Sequence, residues 1–198
     1  MMIGDDGKEA TRMTEPEGYP KELERMATLK DGTEVRIRPV RPEDEPRLVA
    51  LHSRLSRDTR YHRFFGEMER LPPDWAHFFA NVDYHRRLAL VAERVPGGAG
   101  VLIGVGRYDF SEKDAAAEVA FVVEDPWQDQ GLGTILLNDL LRAASARGIQ
   151  RFRAYVLADN ERMLRLLARH THILEQATER GIADILFTAR PEVAPPLP

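Results

Sequence analysis

The sequence predicts a single α/β domain in which one sheet is flanked by helices. A chain of 198 residues, of which 43% are hydrophobic, can bury one substantial core but is short for two. Three apolar runs of strand length, at 87–94, 101–110 and 118–123, are separated by a glycine turn and a polar link, which predicts an antiparallel meander. After Pro126 the spacing of apolar residues changes to three or four, which predicts a long helix.

The segment before the meander predicts one hairpin-like turn and three helices. Two strand-like segments, 27–29 and 33–38, flank the turn dipeptide Asp31-Gly32, and Pro39 ends the second of them. Pro42 and the three acidic residues after it favour a helix start, because proline fits the first turn and carboxylates interact well with the helix dipole. The helices are expected over about 42–55, 60–65 and 73–80.

The segment after the meander predicts helix, strand, helix and strand in that order. The long helix carries one apolar stripe from Leu132 to Ala144, and Gly148 marks its end. A strand over 152–157, a helix over 160–169 and a last strand over 182–189 follow. The sheet therefore contains six to seven strands.

The two ends of the chain differ in composition from the middle. Residues 1–26 show no periodicity and mix Gly, Pro and charged residues, which predicts a disordered N-terminal arm. Residues 191–198 are half proline and predict a Pro-rich tail. The ordered domain is therefore expected over 27–190.

Composition excludes several classes of function. A net charge of −4 gives no general attraction to nucleic acid or anionic lipid, and the absence of cysteine excludes disulfides and thiolate sites. The pair His170 and His172 is the one histidine cluster; because nothing nearby completes a ligand set, we predict a solvated helix end and no metal. The chain shows neither a signal peptide nor an apolar run of about 18 residues, so we expect a cytoplasmic protein without a membrane span.

The most informative motif is Gln128-Asp129-Gln130-Gly131-Leu132-Gly133, which lies between a strand and the start of the long helix. A helix N-terminus presents free N–H groups and a partial positive charge, and glycines let a bulky diphosphate approach the backbone. The lysine and hydroxyl of a Walker loop are missing, and the third glycine of a dinucleotide fingerprint would fall at Leu136. The alternative is that the two glycines only shape a turn or allow close packing.

The motif resembles the acyl-CoA pyrophosphate loop of GNAT acyltransferases, whose pattern Q/R-x-x-G-x-G/A is matched by Gln128, Gly131 and Gly133. The order of elements fits the same fold, which implies a mostly antiparallel mixed sheet that is splayed at the acyl-CoA site. Further segments are similar to the catalytic domain of bacterial Pat-type protein lysine acetyltransferases: 35–44, 55–65, 82–84, 103–108, 117–123 and 158–163. Some of those enzymes carry a fused sensor domain, for which we expect no room in this sequence.

Glu118 is the predicted general base. It opens an otherwise apolar strand, and by alternation it shares one face with Ala120 and Val122. An amine of pKa near 10.4 must lose a proton before it attacks, and a carboxylate on that face could accept the proton. The resemblance implies the same role, whereas the alternative from the residues alone is a solvated carboxylate at the strand end.

The resemblance also implies which residues bind the cofactor. The main-chain N–H of Val123 would polarise the thioester, and Asn160 would contact the pantetheine arm, although from sequence it also suits a helix cap. The full set of cofactor-binding residues implied is Phe121, Val122, Val123, Gln128, Asp129, Gln130, Gly131, Leu132, Gly133, Thr134, Asn160 and Met163. No general acid is assigned, because no tyrosine follows Tyr155.

Aromatic residues cluster in the helical region between 60 and 80. Their helical spacing predicts that most of them are core residues, whereas Tyr61 and Tyr84 are predicted to line the acceptor channel.

The resemblance implies an acetyl-CoA-dependent N-acetyltransferase that acts on a lysine of a protein such as an acyl-CoA synthetase. Two alternatives stay open, a small-molecule amine acetyltransferase and a non-catalytic acyl-CoA-binding module. The oligomeric state, monomer or dimer, is also left open by the sequence.

Overall fold

The computed structural model describes residues 16–94 and 100–191. Within these ranges the strands are β1 (Arg25–Thr28), β2 (Glu34–Pro39), β3 (Arg87–Arg94), β4 (Val101–Ser111), β5 (Ala116–Val123), β6 (Phe152–Leu157), β7 (Thr171–Glu179) and β8 (Ile182–Ala189). They form one sheet in the order β1-β2-β3-β4-β5-β6-β8-β7. Neighbouring strands are antiparallel except β5 and β6, which run parallel.

Helices cover both faces of the sheet and give three layers. They are α1 (Glu45–Arg54), α2 (Arg57–Phe64), α3 (Pro73–Ala80), α4 (Leu132–Ala146) and α5 (Glu161–His170). The apolar stripe of α4, including Leu136 and Leu140, packs with Val119 and Phe121 in the larger core cluster. Leu48 and Leu51 of α1 belong to a second cluster on the opposite face of the sheet. The sheet is therefore buried on both sides near β4 and β5.

The element order agrees with the sequence prediction, with one strand added. The predicted bounds of β3, β6, β8 and α3 coincide with those in the structure. Strand β7 was not predicted, and it raises the number of strands from six or seven to eight. It is an edge strand on which nearly every side chain is exposed, so it lacks the apolar alternation that identifies a strand in sequence.

The predicted N-terminal boundary at residue 27 is too late. Strand β1 begins at Arg25, and a 3-10 turn at Lys21–Leu23 precedes it. Tyr19 packs edge-on against Tyr84, with ring centroids 5.6 Å apart, and donates a hydrogen bond to Glu24 at 2.7 Å. Residues 1–15, the predicted turn at 96–99 and residues 192–198 of the predicted tail lie outside the described residues.

No helix among the described residues is long and apolar enough to cross a membrane.

A buried ion-pair network joins the second strand to the start of α1. Arg38, only 4% exposed, donates to both carboxylate oxygens of Asp44 at 2.6 and 2.8 Å and to Glu93 at 3.1 Å. Arg47 pairs with the same two carboxylates from the surface side. Burial raises the pKa of Asp44, but the hydrogen bonds and charge of Arg38 outweigh it and hold this pKa below its ordinary value. The network fixes the connection between sheet and helix.

Asp44→Asn is expected to lower the free energy of unfolding by about 3 kcal/mol at pH 7, because it removes a carboxylate from a buried arginine. Because the folded-state pKa of Asp44 is depressed, its contribution is present above the ordinary carboxyl pKa and is lost as the pH falls below about 4. Urea unfolding at pH 7 and at pH 3 measures both effects.

Glu43→Gln is the matched control, since it removes one negative charge from the exposed neighbouring position. Equal losses in the two variants, or a loss for Asp44→Asn that does not shrink at low pH, would contradict a structural role for the network.

Candidate functional site

Strands β5 and β6 separate after two residue pairs and leave an opening in the sheet. The paired residues are Ala117 with Phe152 and Glu118 with Arg153, although both strands continue beyond these positions. Backbone groups on this edge of β5 after Glu118 therefore have no partner strand in β6. Because backbone N–H and C=O groups need partners, such an edge suits an extended polar ligand lying between the strands. This opening is the splay that the resemblance implied.

The N-terminus of α4 lies at the end of β5, across a short 3-10 turn at Asp125–Trp127. Its N-cap, Gly131, has φ = +89°, and no side chain caps the helix. A side chain at Gly131 would meet only Lys30, at 3.8 Å, so the backbone conformation and not crowding explains this glycine. The first-turn N–H groups of Leu132, Gly133 and Thr134 are therefore available to a bound anion.

The loop before α4 is held by side-chain contacts with α2, α5 and the end of β5. Gln128 donates from Nε2 to the carbonyl oxygen of Val123 at 2.9 Å and to the Thr59 hydroxyl at 3.1 Å. Arg162 of α5 pairs with Asp129 at 3.1 Å and also contacts Gln128. The predicted cofactor residue Gln128 thus supports the end of β5 through its side chain. Lys30 holds the loop backbone, donating to the carbonyl oxygens of Asp129 and Gln130, each at 3.0 Å.

Asp125 links the same loop to the start of α2. Its carboxylate accepts hydrogen bonds from the Ser56 N–H at 2.9 Å, the Ser56 hydroxyl at 2.6 Å and the Thr59 hydroxyl at 2.7 Å. Burial raises the pKa of Asp125, but these hydrogen bonds outweigh it and lower this pKa below its ordinary value. Helix α2 and the loop before α4 are therefore fixed relative to each other.

Asn160 caps α5, as one of the two sequence interpretations predicted. Its side-chain oxygen accepts from the N–H of Met163 at 3.1 Å, and Met163 packs against the larger core cluster. This end of α5 faces the Gln128 loop through Arg162. Asn160 and Met163 thus lie on the far side of the opening from β5.

Glu118 lies at the exposed beginning of the splayed part of β5. Ala120 and Val122, on the same face, line a cavity beneath α1, α2 and α3. Phe121 points to the opposite face and is buried in the larger core cluster, so only its backbone can reach the opening. The structure thus separates the predicted base at one end of β5 from the predicted anion site at its other end.

Three side chains near Glu118 were given no role from the sequence. Arg63 and Arg107 border the cavity beside Ala120 and Val122. Tyr155, 41% exposed, lies two residues after Arg153, the partner of Glu118, and so shares its face of the sheet. The sequence offered no signal for these neighbours, because they depend on pairing between distant segments.

The predictions for aromatic residues are partly wrong. Tyr84 is buried and donates its hydroxyl to the Val40 carbonyl at 2.9 Å, so it is not a channel wall. Three aromatics of the α2–α3 region predicted as core residues are at least 40% exposed: Phe65, Trp75 and Phe78. Tyr61, predicted as a wall residue, is 43% exposed. Helices α2 and α3 have eight residues each and cover the cavity with only part of their surface.

No group of three or more His, Asp or Glu side chains that could hold a metal ion occurs in residues 16–94 and 100–191. His170 ends α5, as predicted, whereas His172 lies exposed on β7.

Comparisons with known proteins identify similar chains. Residues 48–173 match the profile of the acetyltransferase (GNAT) family. The chain is 32% identical over 138 residues to an acetyltransferase of Pseudomonas aeruginosa, an alignment that covers 70% of this chain and 74% of that protein. It is 33% identical over 142 residues to the acetyltransferase Pat of Mycolicibacterium smegmatis, covering 71% of this chain and 42% of Pat.

Among solved structures, the GNAT domain of S. lividans PAT superposes with a TM-score of 0.77 at 31% identity. The match covers 86% of this chain and 99% of that domain. The aligned part of Pat from Mycolicibacterium smegmatis is less than half of its length.

Proposed function

The chain belongs to the GNAT acetyltransferase family, and on that premise we propose that it transfers the acetyl group of acetyl-CoA to a lysine side chain of a protein such as an acyl-CoA synthetase. One observation carries the proposal: the opening between β5 and β6 has an uncapped helix N-terminus at one end and a carboxylate at the other. A donor and an acceptor could meet along the strand between them.

In this proposal the diphosphate of acetyl-CoA binds the amides that open α4. Gly131 to Thr134 present these amides, and the helix dipole adds partial positive charge. The pantetheine arm then runs along the free edge of β5, past Phe121 and Val122, with Asn160 and Met163 on its other side. Its amide groups would satisfy the backbone groups that β6 leaves unpaired.

The thioester carbonyl is polarised by the main-chain N–H of Val123. Because Gln128 holds the carbonyl of the same residue at 2.9 Å, the peptide is oriented before the substrate arrives. A fixed dipole needs no reorganisation as negative charge develops on the thioester oxygen.

Glu118 takes the proton of the lysine ammonium, directly or through water, and the free amine attacks the thioester carbon. The nitrogen–carbon bond forms, the carbon–sulfur bond breaks, coenzyme A leaves as a thiolate, and the nitrogen releases its second proton to water. Tyr155 lies on the same face of the sheet as Glu118 and would donate the proton that the thiolate needs. No metal takes part in this route.

A protein acceptor is supported by two observations. The relatives include the acetyltransferase Pat and the GNAT domain of S. lividans PAT. In addition, Tyr61, Phe65, Trp75 and Phe78 are exposed on the helices that cover the cavity next to Glu118. Exposed aromatic clusters are typical of protein-binding surfaces, where they supply much of the binding energy. A cytoplasmic location, expected from the sequence, fits such an acceptor.

The acceptor is tested by incubating the protein with labelled acetyl-CoA and a lysate of its own host, followed by mass spectrometry. We expect label on lysines of one or a few proteins. Trp75→Ala is expected to lower kcat/KM for the labelled protein by about tenfold or more, relative to the effect on a short lysine peptide. Leu174→Ala on β7, an exposed apolar residue, is the control. Label confined to small amines would contradict a protein acceptor.

Glu118→Gln is expected to lower kcat by about 10²–10⁴, because general bases contribute that much, while the Kd for acetyl-CoA changes little. Single-turnover kinetics and calorimetry measure the two quantities. Glu175→Gln, an exposed carboxylate on β7, should leave both unchanged. A loss of less than about tenfold for Glu118→Gln would exclude a general base at this position.

Gly131→Ala tests the anion site against a matched glycine. Gly131 and Gly148 have φ of +89° and +82° at the two ends of α4, so alanine costs each about 1–2 kcal/mol of stability. Only Gly131→Ala is expected to weaken coenzyme A binding, by roughly tenfold, measured by calorimetry. Equal affinities in the two variants would argue against a diphosphate at this helix end.

A further inference from the structure

Arg107 is a buried cation that makes no direct ion pair with a described residue. It is 7% exposed, and its side chain makes no ion pair or hydrogen bond with any residue in 16–94 or 100–191. Arg38, equally buried, is surrounded by the carboxylates of Asp44 and Glu93. Because an unpaired charge is costly to bury, Arg107 is expected to have an anionic partner that belongs to a ligand.

A second arginine and a histidine border the same cavity. Arg63 of α2 also makes no ion pair with a described residue, and His52 is 4% exposed with Nε2 lacking a hydrogen-bond partner. Apolar side chains supply the rest of the wall, including Leu48, Leu51, Leu55, Phe64, Val105 and Val122. The cavity therefore combines an apolar body with polar atoms that have no protein partner.

Aromatic rings hold the two guanidinium groups in place. Arg107 lies 4.2 Å from the ring centre of Phe79, and Arg63 lies 5.0 Å from that of Phe64. These contacts orient the cations but do not neutralise them. Burial lowers the pKa of Arg107, and the positive charges of Arg63 and Arg87 lower it further; the negative charges of Asp109 and Glu118 oppose this shift without reversing it. The field in this cavity therefore favours a bound negative charge.

The position of the cavity indicates which substrate group enters it. Arg107 is paired across the sheet with Ala120, and Ala120 and Val122 form part of the cavity wall on β5. Val123, which polarises the thioester in the proposed function, follows directly. At 3.3 Å per residue, about 10 Å separate it from Ala120 along the strand. A short acyl stem together with the length of an arginine side chain spans this distance.

We propose that the cavity is an acyl-group subsite in which Arg107, with Arg63 and His52, binds the terminal carboxylate of a dicarboxylic acyl-CoA such as succinyl-CoA. This inference rests on the proposed acyl transfer and adds dicarboxylic acyl-CoA to acetyl-CoA as a donor class. The same bonds form and break as in acetyl transfer: the amine nitrogen bonds to the acyl carbon and the thioester bond breaks. The distal carboxylate stays ionised.

The test compares succinyl-CoA with butyryl-CoA, which has the same chain length without the carboxylate. Calorimetry is expected to show that the protein binds succinyl-CoA about tenfold or more tightly than butyryl-CoA, since hydrogen bonds to charged groups are strong. Arg107→Met should abolish this preference, Arg107→Lys should retain part of it, and Arg86→Met, a loss of one exposed charge, should retain it fully. Equal affinities of the protein for both thioesters would overturn the proposal.

Two further measurements distinguish donor binding by Arg107 from a structural role and from binding of an acceptor carboxylate. Arg107→Met is expected to melt at the same temperature as the unaltered protein or higher, because it removes an unpaired buried charge. A marked fall in Tm would assign Arg107 a structural role and overturn the proposal. Lysine peptides with and without a neighbouring glutamate are also compared as acceptors. If the protein prefers a carboxylate only in the acceptor peptide and not in the acyl-CoA, the proposal that the cavity binds the acyl donor is overturned.

Acetyl-CoA is included in the same series. If it binds and reacts while succinyl-CoA shows no preference, the subsite inference alone fails. If no acyl-CoA binds, the proposed function fails as well.

Discussion

The structure depends on one constraint: β5 must leave β6 after two residue pairs and still remain in place. A strand that loses its neighbour exposes backbone groups that need partners, and it tends to move or to pair with another chain. Here β5 is fixed from its other sides. It is paired over eight residues with β4, and Phe121 packs beneath α4. Gln128 anchors the last carbonyl of the strand. The opening therefore persists as a preformed site.

The helices on the acceptor side are positioned by polar contacts because their apolar surfaces are small. Helix α1 is fixed at its start by the Arg38–Asp44 pair and at its end by Arg54, which binds Glu124 at 2.7 Å. Helix α2 follows at once, and Asp125 holds its first turn. Glu124 and Asp125 both follow β5 directly. The same few residues that end the strand thus determine where the cavity wall stands.

The sequence predicted those parts of the fold that have a periodic apolar signal. Strands β3, β6 and β8 were found because they are buried, and α4 because its apolar stripe is long. Strand β7 was missed because an edge strand with exposed polar side chains carries no such signal. The glycine-containing start of α4 was predictable, since it resides in contiguous residues. The environment of Arg107 was not, because it depends on α2, α3 and β5 meeting at one place.

Positive and negative groups lie at different places along the opening, which indicates where the donor and the acceptor would bind. Partial positive charge at the start of α4 suits a diphosphate, and the guanidinium groups of Arg63 and Arg107 form a second positive region in the cavity. Glu118 lies beyond them at the exposed end of β5, where an ammonium group would arrive from solvent. The nearby cations oppose the charged form of an arriving amine and favour the neutral nucleophile. In the proposed mechanism, a buried cation without a direct ion pair would therefore serve both donor recognition and deprotonation of the acceptor.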